Sequence, residues 1–192
     1  HFARHTPELH KLCIPKLAQA FSTYTEPSSP WVIEAFARLD TRLLITVEDG
    51  NNPLLAGGLA LLENNGAQIR THPRLPGMFW VSDDYLIGIP TEWGEGWGDG
   101  VLTAKSPPLA KLLDWVFERY WQQALPLGSE AKSWDPLLML VAEGMTIEAA
   151  SQALGLTPRT GRRRVAAAMR HYGVHSQFAL GRAWGADRSV VE

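Results

Sequence analysis

The 192 residues predict two domains, an α/β sandwich followed by a smaller all-α domain. Three observations carry this reading. Residues 31–126 alternate short apolar runs of strand length with segments of helical apolar spacing. Residues 134–192 hold helical spacing throughout, punctuated by glycine and by Thr-Pro. Between them, residues 127–133 (Leu-Gly-Ser-Glu-Ala-Lys-Ser) have linker composition.

Taken in order, residues 7–24 carry Leu9, Leu12, Cys13, Leu17 and Phe21 at helical spacing and stop at Pro27-Ser28-Ser29-Pro30. This predicts a packing or dimerisation helix, with residues 1–30 as an N-terminal helix and linker. Trp31–Leu39 follows as a helix, Arg42–Val47 as a buried strand, Pro53–Asn64 as a helix and Gln68–Thr71 as a strand. Met78–Val81 and Tyr85–Ile89 flank Ser82-Asp83-Asp84 and read as a hairpin with an acidic turn. A last strand at Gly100–Lys105 leads into an amphipathic helix, Pro108–Ala124, with Leu109, Leu112, Leu113, Val116, Phe117 and Tyr120 inward.

Composition narrows the classes. With 45% hydrophobic and 20% charged residues the chain is globular, no apolar run reaches membrane-spanning length, and a soluble, cytoplasmic protein without membrane contact is expected. A lone cysteine, Cys13, excludes an intrachain disulfide and a cysteine-based metal site. The six histidines show no metal-binding helix pair: His1, His5 and His10 lie at the chain start and His171 and His175 span Gly173. Neither metal nor cofactor is expected. The glycine-rich run Gly94–Gly100 lacks the Lys-Ser/Thr of a phosphate loop and carries acids, so it reads as a loop whose Trp93 and Trp97 are suited to cover a small-molecule pocket or dock a partner. The net charge of −2 is uneven: residues 134–192 hold seven basic against five acidic residues, leaving the first 133 net acidic and without an electrostatic reason to bind nucleic acid.

The all-α domain carries the strongest chemical signal. Thr146 is a cap candidate, and Ile147, Ala150 and Leu154 form one apolar stripe. Gly155 suits a tight helix exit, and Thr157-Pro158 restarts the chain as cap and first helical residue. In the second helix Val165, Ala168, Met169 and Tyr172 share one face, while Arg159, Arg162, Arg163, Ala166 and Arg170 share another. Between Ala149 and Ala186 there are six arginines and no acid. This predicts a helix-turn-helix with a cationic, unopposed second helix, a form that suits the DNA major groove.

These residues resemble the LuxR-type (GerE-type) helix-turn-helix domain of bacterial transcription regulators, from Trp134 to about Gly185. Leu137–Thr146 resembles the family's first helix and junction, Leu154–Thr160 its turn and recognition-helix start, and Tyr172–Ser176 the entry to its fourth helix. Three positions depart from the pattern. Gly161 stands where valine is usual and is expected to lose a core contact, Arg164 where histidine is common, and Gln177 where arginine is common. The family's docking mode implies that Arg162 and Arg163, with Ala166 on the same face, meet base edges. Arginine suits guanine O6 and N7, at roughly 1–3 kcal/mol of discrimination for each bidentate pair. Thr157, Arg159, Arg170, Ser176 and Gln177 are then phosphate-positioning candidates, and Thr160 and Arg164 complete the set.

The order of elements over residues 31–126 resembles half of a phospholipase-D-like domain, which precedes LuxR-type readers in some actinobacterial regulators. In enzymes of that family an H-x-K-x-x-x-x-D motif does the chemistry. With its Asp set on Asp83, the His position holds Pro76 and the Lys position Met78. Without the imidazole nucleophile and the phosphate-binding lysine, the resemblance implies a degenerate, non-catalytic domain. Leu43–Gly50 with the following helix also resembles the first strand and acidic pair of a receiver domain, although too few residues remain for its five βα units.

The expectation is therefore a sequence-specific transcriptional regulator. A homodimer would read double-stranded DNA through residues 134–192, and residues 31–126 would sense a small-molecule or protein ligand, or dimerise. A response regulator with a degenerate receiver, and an anti-regulator that has lost DNA binding, are the alternatives, and no catalytic residue is expected.

Overall fold

A computed structural model describes residues 9–19, 40–83, 85–94, 100–128 and 132–189. Contacts divide the chain into two compact units, His1–Gly128 and Ser129–Glu192.

The first unit is built on a mixed seven-stranded sheet. Its strands are β1 (Leu9–Ile14), β2 (Asp40–Thr46), β3 (Gln68–His72), β4 (Phe79–Ser82), β5 (Leu86–Pro90), β6 (Val101–Lys105) and β7 (Leu125–Pro126), in the spatial order β6-β5-β4-β1-β2-β3-β7. β1 and β2, and β2 and β3, are parallel; the other neighbours are antiparallel. The helices are α1 (Val47–Gly50), α2 (Pro53–Asn64) and α3 (Pro107–Gln123).

Alternation along the central strands fixes two cores. Leu43 and Ile45 of β2 pack with Ile69 of β3 and with Leu55, Leu59 and Leu62 of α2. Leu44, one residue out of phase, packs on the opposite face with Cys13, Phe79, Val81, Ile87 and with Phe117 and Trp121 of α3. A strand with both faces covered reads as a continuous apolar run, which is why Leu43-Leu44-Ile45 is legible as a buried strand. Phe79 and Phe117 are wholly buried; each contributes on the order of 1.5–3 kcal/mol. Helix signals also land where expected. Asn52 caps α2 by accepting from Leu54 N, with Pro53 at the first position.

The expectation for residues 7–24 is corrected. Leu9–Ile14 is a strand at the sheet's centre, in parallel register with Asp40–Ile45 and antiparallel to β4. The spacing of Leu9, Leu12 and Cys13 mimics a helix face because a short apolar run satisfies both periods. Burial shows the true one: Lys11 and Cys13 face α3, and Leu12 and Ile14 the other core. Leu17 is 3% exposed within that core and Leu12 packs against it, so these two are core residues and not a helical dimer surface. Phe21 and the helix expected at Trp31–Leu39 lie outside the described residues. His10 likewise belongs to a central strand: its Nδ1 lies 2.6 Å from Ser82 Oγ and its ring stacks on Trp80.

Two further expectations change. On α3 the buried line is Ala110, Phe117 and Trp121, with Leu113, Val116 and Tyr120 half-buried, whereas Leu109 and Leu112 are exposed. The antiparallel strands β4 to β6 and β7 exclude the parallel flavodoxin-like order of a receiver. Asp49, one of the supposed acidic pair, is buried and spent on the amides of Leu17 and Ala18.

In the second unit the described elements are all helical: α4 (Asp135–Ala142), α5 (Ile147–Ala153), α6 (Pro158–Tyr172) and α7 (Gln177–Ser189). Asp135 ties its ends together. Its carboxylate accepts from Lys132 N at 2.8 Å and from Trp184 Nε1 at 2.9 Å. Among the described residues no helix is long and apolar enough to cross a membrane.

Candidate nucleic-acid interface

The helix carrying the arginines is set by its caps. Thr157 Oγ1 accepts from Thr160 N at 3.2 Å, and Pro158, which has no N–H to satisfy, occupies the first turn. Thr146 caps α5 in the same way through Ala149 N, and Ser176 Oγ accepts from Ala179 N at the start of α7. Gly155 leaves α5 at φ +64° and Gly173 leaves α6 at φ +64°. At each exit the amide of the residue after the glycine returns to a carbonyl five residues back: Leu156 N to Ser151 O, and Val174 N to Met169 O. Start, turn and stop are thus each chemically fixed.

These restraints divide the faces of α6. Gly161, Val165 and Ala168 are buried, with Met169 and Tyr172 half-buried beside them. Arg159, Arg162, Arg163, Ala166 and Arg170 are exposed, which brings five of the candidate residues together on one face. Arg164 is half-buried and sits toward the packed side, apart from the other arginines. Thr157 and Thr160 share a hydroxyl contact of 3.0 Å at the helix start. Ser176 is the cap of α7 and Gln177 its first residue, exposed.

The expectation that the arginine charge is unopposed needs correction. Arg162 Nε lies 3.3 Å from Glu148 Oε1 of α5, with side chains 65% and 56% exposed. The acid precedes the acid-free stretch by one residue, but the turn folds it back against α6. An exposed pair of this kind contributes only about 0–1 kcal/mol, so Arg162 can exchange Glu148 for another anion at little cost.

Gly161 is also reassigned. A Cβ built there would lie 1.8 Å from Ser151 Oγ and 3.0 Å from Ser151 Cβ. Ser151 is fully buried, and its hydroxyl donates to Ile147 O at 2.5 Å. Glycine here is required by the close approach of α5 and α6; it is not a lost contact. Sequence reasoning had no local signal for this, because the partner serine belongs to the preceding helix.

Lys132, Tyr172 and Asp187 complete the polar framework. Asp187 accepts from Lys132 Nζ at 2.9 Å and from Tyr172 Oη at 2.7 Å. Those two donors hold its carboxyl below the ordinary range; the Asp187 hydrogen bond in turn raises Lys132, and burial raises Tyr172.

In the first unit Met78, expected at the lysine position of the motif, is 3% exposed in the core, and Pro76, expected at the histidine position, is half-buried. Asp83 sits at φ +51° and accepts from Leu9 N at 3.3 Å. Burial lowers the His10 imidazole below its usual value, with Asp83 opposing. Trp93 is exposed and stacks on Phe79 at 6.5 Å between centroids; Trp97 lies outside the described residues. Among the described residues no group of three or more His, Cys, Asp or Glu side chains is placed to hold a metal ion.

No family model matches the chain, and no curated protein matches it. Solved structures similar to it include Nuc, a phospholipase D family member from Salmonella typhimurium, with a TM-score of 0.48 and 13% identity over 64% of this chain and 84% of that one. TrmBL2, an archaeal chromatin protein whose structure shows a novel mode of DNA binding, has a TM-score of 0.47 and 15% identity over 62% of this chain and 45% of that one. At these values neither likeness assigns a family or a function.

Proposed function

We propose that the chain is a cytoplasmic, sequence-specific transcriptional regulator of LuxR type. In this reading α6 enters the major groove of double-stranded DNA, and the α/β unit is a degenerate, non-catalytic phospholipase-D-like domain that senses or dimerises. One observation carries the proposal: Arg159, Arg162, Arg163 and Arg170 stand exposed on one face of a capped helix whose other face is packed. Such a face supplies phosphate attraction, and guanidinium groups early in the helix suit base edges. Arg162 and Arg163, with Ala166 between their turns, are the base readers. Arg159, Arg170, Thr157, Ser176 and Gln177 position phosphates, and Thr160 serves by fixing the helix start. Arg164 is a flank contact to phosphate rather than a base reader, given its half-buried place.

A homodimer follows from the same reading, because one helix reads only a few base pairs and paired half-sites give the required discrimination. The loss of Gly161 as a defect removes the main support for an anti-regulator with a broken reader. The test is titration of the whole chain against a selected duplex and a scrambled one at fixed salt, with sedimentation to read its oligomeric state. Arg162→Ala or Arg163→Ala should cost about 1–3 kcal/mol on the selected duplex and narrow the gap between duplexes, whereas Arg170→Ala should weaken both alike. Equal losses on both duplexes for every variant would remove base readout.

A further inference from the structure

The three parallel strands β1, β2 and β3 end at one edge of the sheet. Their exits are Pro15-Lys16, Thr46–Asp49 and Pro73–Leu75. Crevices outside the carboxyl ends of parallel strands are where open α/β sheets commonly hold ligands. Here the exits line an open cavity of about 450 Å³, within the range of small-molecule sites.

The walls are held by hydrogen bonds between and within the strand exits. Asp49, 5% exposed, accepts from Leu17 N at 2.8 Å, from Ala18 N at 3.2 Å and from Thr46 Oγ1 at 2.8 Å, which pins the β1 exit to the β2 exit. His72 is buried, and its Nδ1 lies 2.7 Å from Arg74 O and 3.1 Å from Arg74 N, which fixes the β3 exit. Lys16 is held at φ +56° at the mouth. Such backbone strain in a non-glycine residue persists where surrounding structure imposes it, often at ligand sites. Burial raises the Glu48 carboxyl above its ordinary value, with the Asp49 charge adding to it and hydrogen bonds from the Glu48 backbone and the Thr46 hydroxyl opposing, where the side chain lines the cavity.

We propose that this crevice binds a small zwitterion of the α-amino-acid class, with the ligand carboxylate on Lys16 and its ammonium on Glu48. Both signs are needed. A simple anion would meet the Glu48 carboxylate, a simple cation would meet the Lys16 ammonium, and a neutral ligand would displace water from Lys16 and Glu48 without offering either an opposite charge. Leu75, 5% exposed, and Pro15 and Pro73 offer an apolar wall to the side chain of such a ligand. The inference deepens the sensing half of the function proposed above and rests on it for its consequence.

Thermal unfolding of the whole chain with each proteinogenic amino acid tests it, since a ligand that binds only the folded state raises the midpoint. One or a few amino acids should raise it, and their N-acetyl and carboxamide derivatives should not. Lys16→Met and Glu48→Gln, checked for native circular dichroism, should each weaken the active amino acid by about tenfold or more, as loss of a partly desolvated charged contact does. The proposal is overturned if no amino acid acts, if capped derivatives or inorganic phosphate act as well, or if both variants bind like the native chain. DNA titration is run separately. Ligand binding without DNA affinity would leave the crevice standing and remove the regulator reading, and the reverse outcome would do the opposite.

Discussion

Replacing Gly161 by Ala sets two effects against each other, and the structure decides the sign. In a free helix the change adds about 1 kcal/mol of stability through propensity. In this chain the added methyl would lie 1.8 Å from Ser151 Oγ and 3.0 Å from Ser151 Cβ. The hydroxyl can escape only by rotating away from Ile147 O, to which it donates at 2.5 Å. A buried polar group left unpaired costs about 1–3 kcal/mol. Rotation does nothing for the Cβ contact, so α5 and α6 must also separate by a few tenths of an ångström, an overpacking cost of roughly 1–3 kcal/mol. The two routes partly substitute for each other, and after the propensity gain a net loss of about 1–2 kcal/mol remains.

The assay is native-state hydrogen exchange of the α5 and α6 amides, which reads this unit irrespective of how the α/β unit unfolds. Ser151→Ala alone should cost less than about 1 kcal/mol, because it deletes one hydroxyl bond within its own helix. The double variant should be less destabilised than the two single losses added together, with a coupling of at least about 0.5 kcal/mol. A Gly161→Ala chain as stable as the native one, or strictly additive losses, would refute the close-approach argument.

Three other outcomes follow from particular contacts. Lys11, 6% exposed, is shared by Asp114 and by Glu118 at 2.6 Å, and Arg42 reaches Glu118 at 3.3 Å; Lys11→Met should cost about 1–2 kcal/mol by denaturant titration, less than a fully buried pair because both acids are partly solvated, and an unchanged midpoint would refute it. Glu48 has a folded pKa above its ordinary 4.5, so the stability it confers is present below pH 4.5 and is lost as pH rises through the folded value. Glu48→Gln should therefore gain on the native chain at neutral pH and lose that advantage as pH falls toward 4.5, and a constant difference across that range would count against the burial argument. Purified chain should leave plasmid and phosphatidylcholine intact, since Pro76 and Met78 offer neither nucleophile nor phosphate-binding cation; turnover that co-purifies and disappears in Asp83→Ala would reverse the non-catalytic assignment.

What the sequence conveyed was local chemistry. Thr146, Gly155, Thr157 and Pro158 each act within a few residues of themselves, so the helix ends they set could be read directly. Leu43-Leu44-Ile45 was legible because burial on both faces leaves only apolar types. What stayed hidden was long-range. Leu9–Ile14 became a strand only because β2 and β4 flank it on both sides, a tertiary pairing that overrides short-range periodicity. The Arg162–Glu148 pair and the Gly161–Ser151 contact both cross the turn between two helices, at separations that no single-helix pattern includes.

The crevice shows the same limit from the functional side. Lys16, Glu48 and Arg74 come from three strand exits that are neighbours only because β1, β2 and β3 run parallel, and no motif spacing links them. Local rules fail most often at strained or functional positions, which natural sequences offset elsewhere. Lys16 at positive φ and the half-buried Glu48 are two such failures on one cavity, while Asp49 beside them is fully satisfied. A carboxylate that weakens the folded state at neutral pH is retained at a stability cost, and a ligand ammonium would offset that cost only when bound. If Glu48→Gln proves more stable yet binds less tightly, loss of fold cannot explain the loss of binding, and the stability profile and the ligand titration then test one cause by two independent measurements.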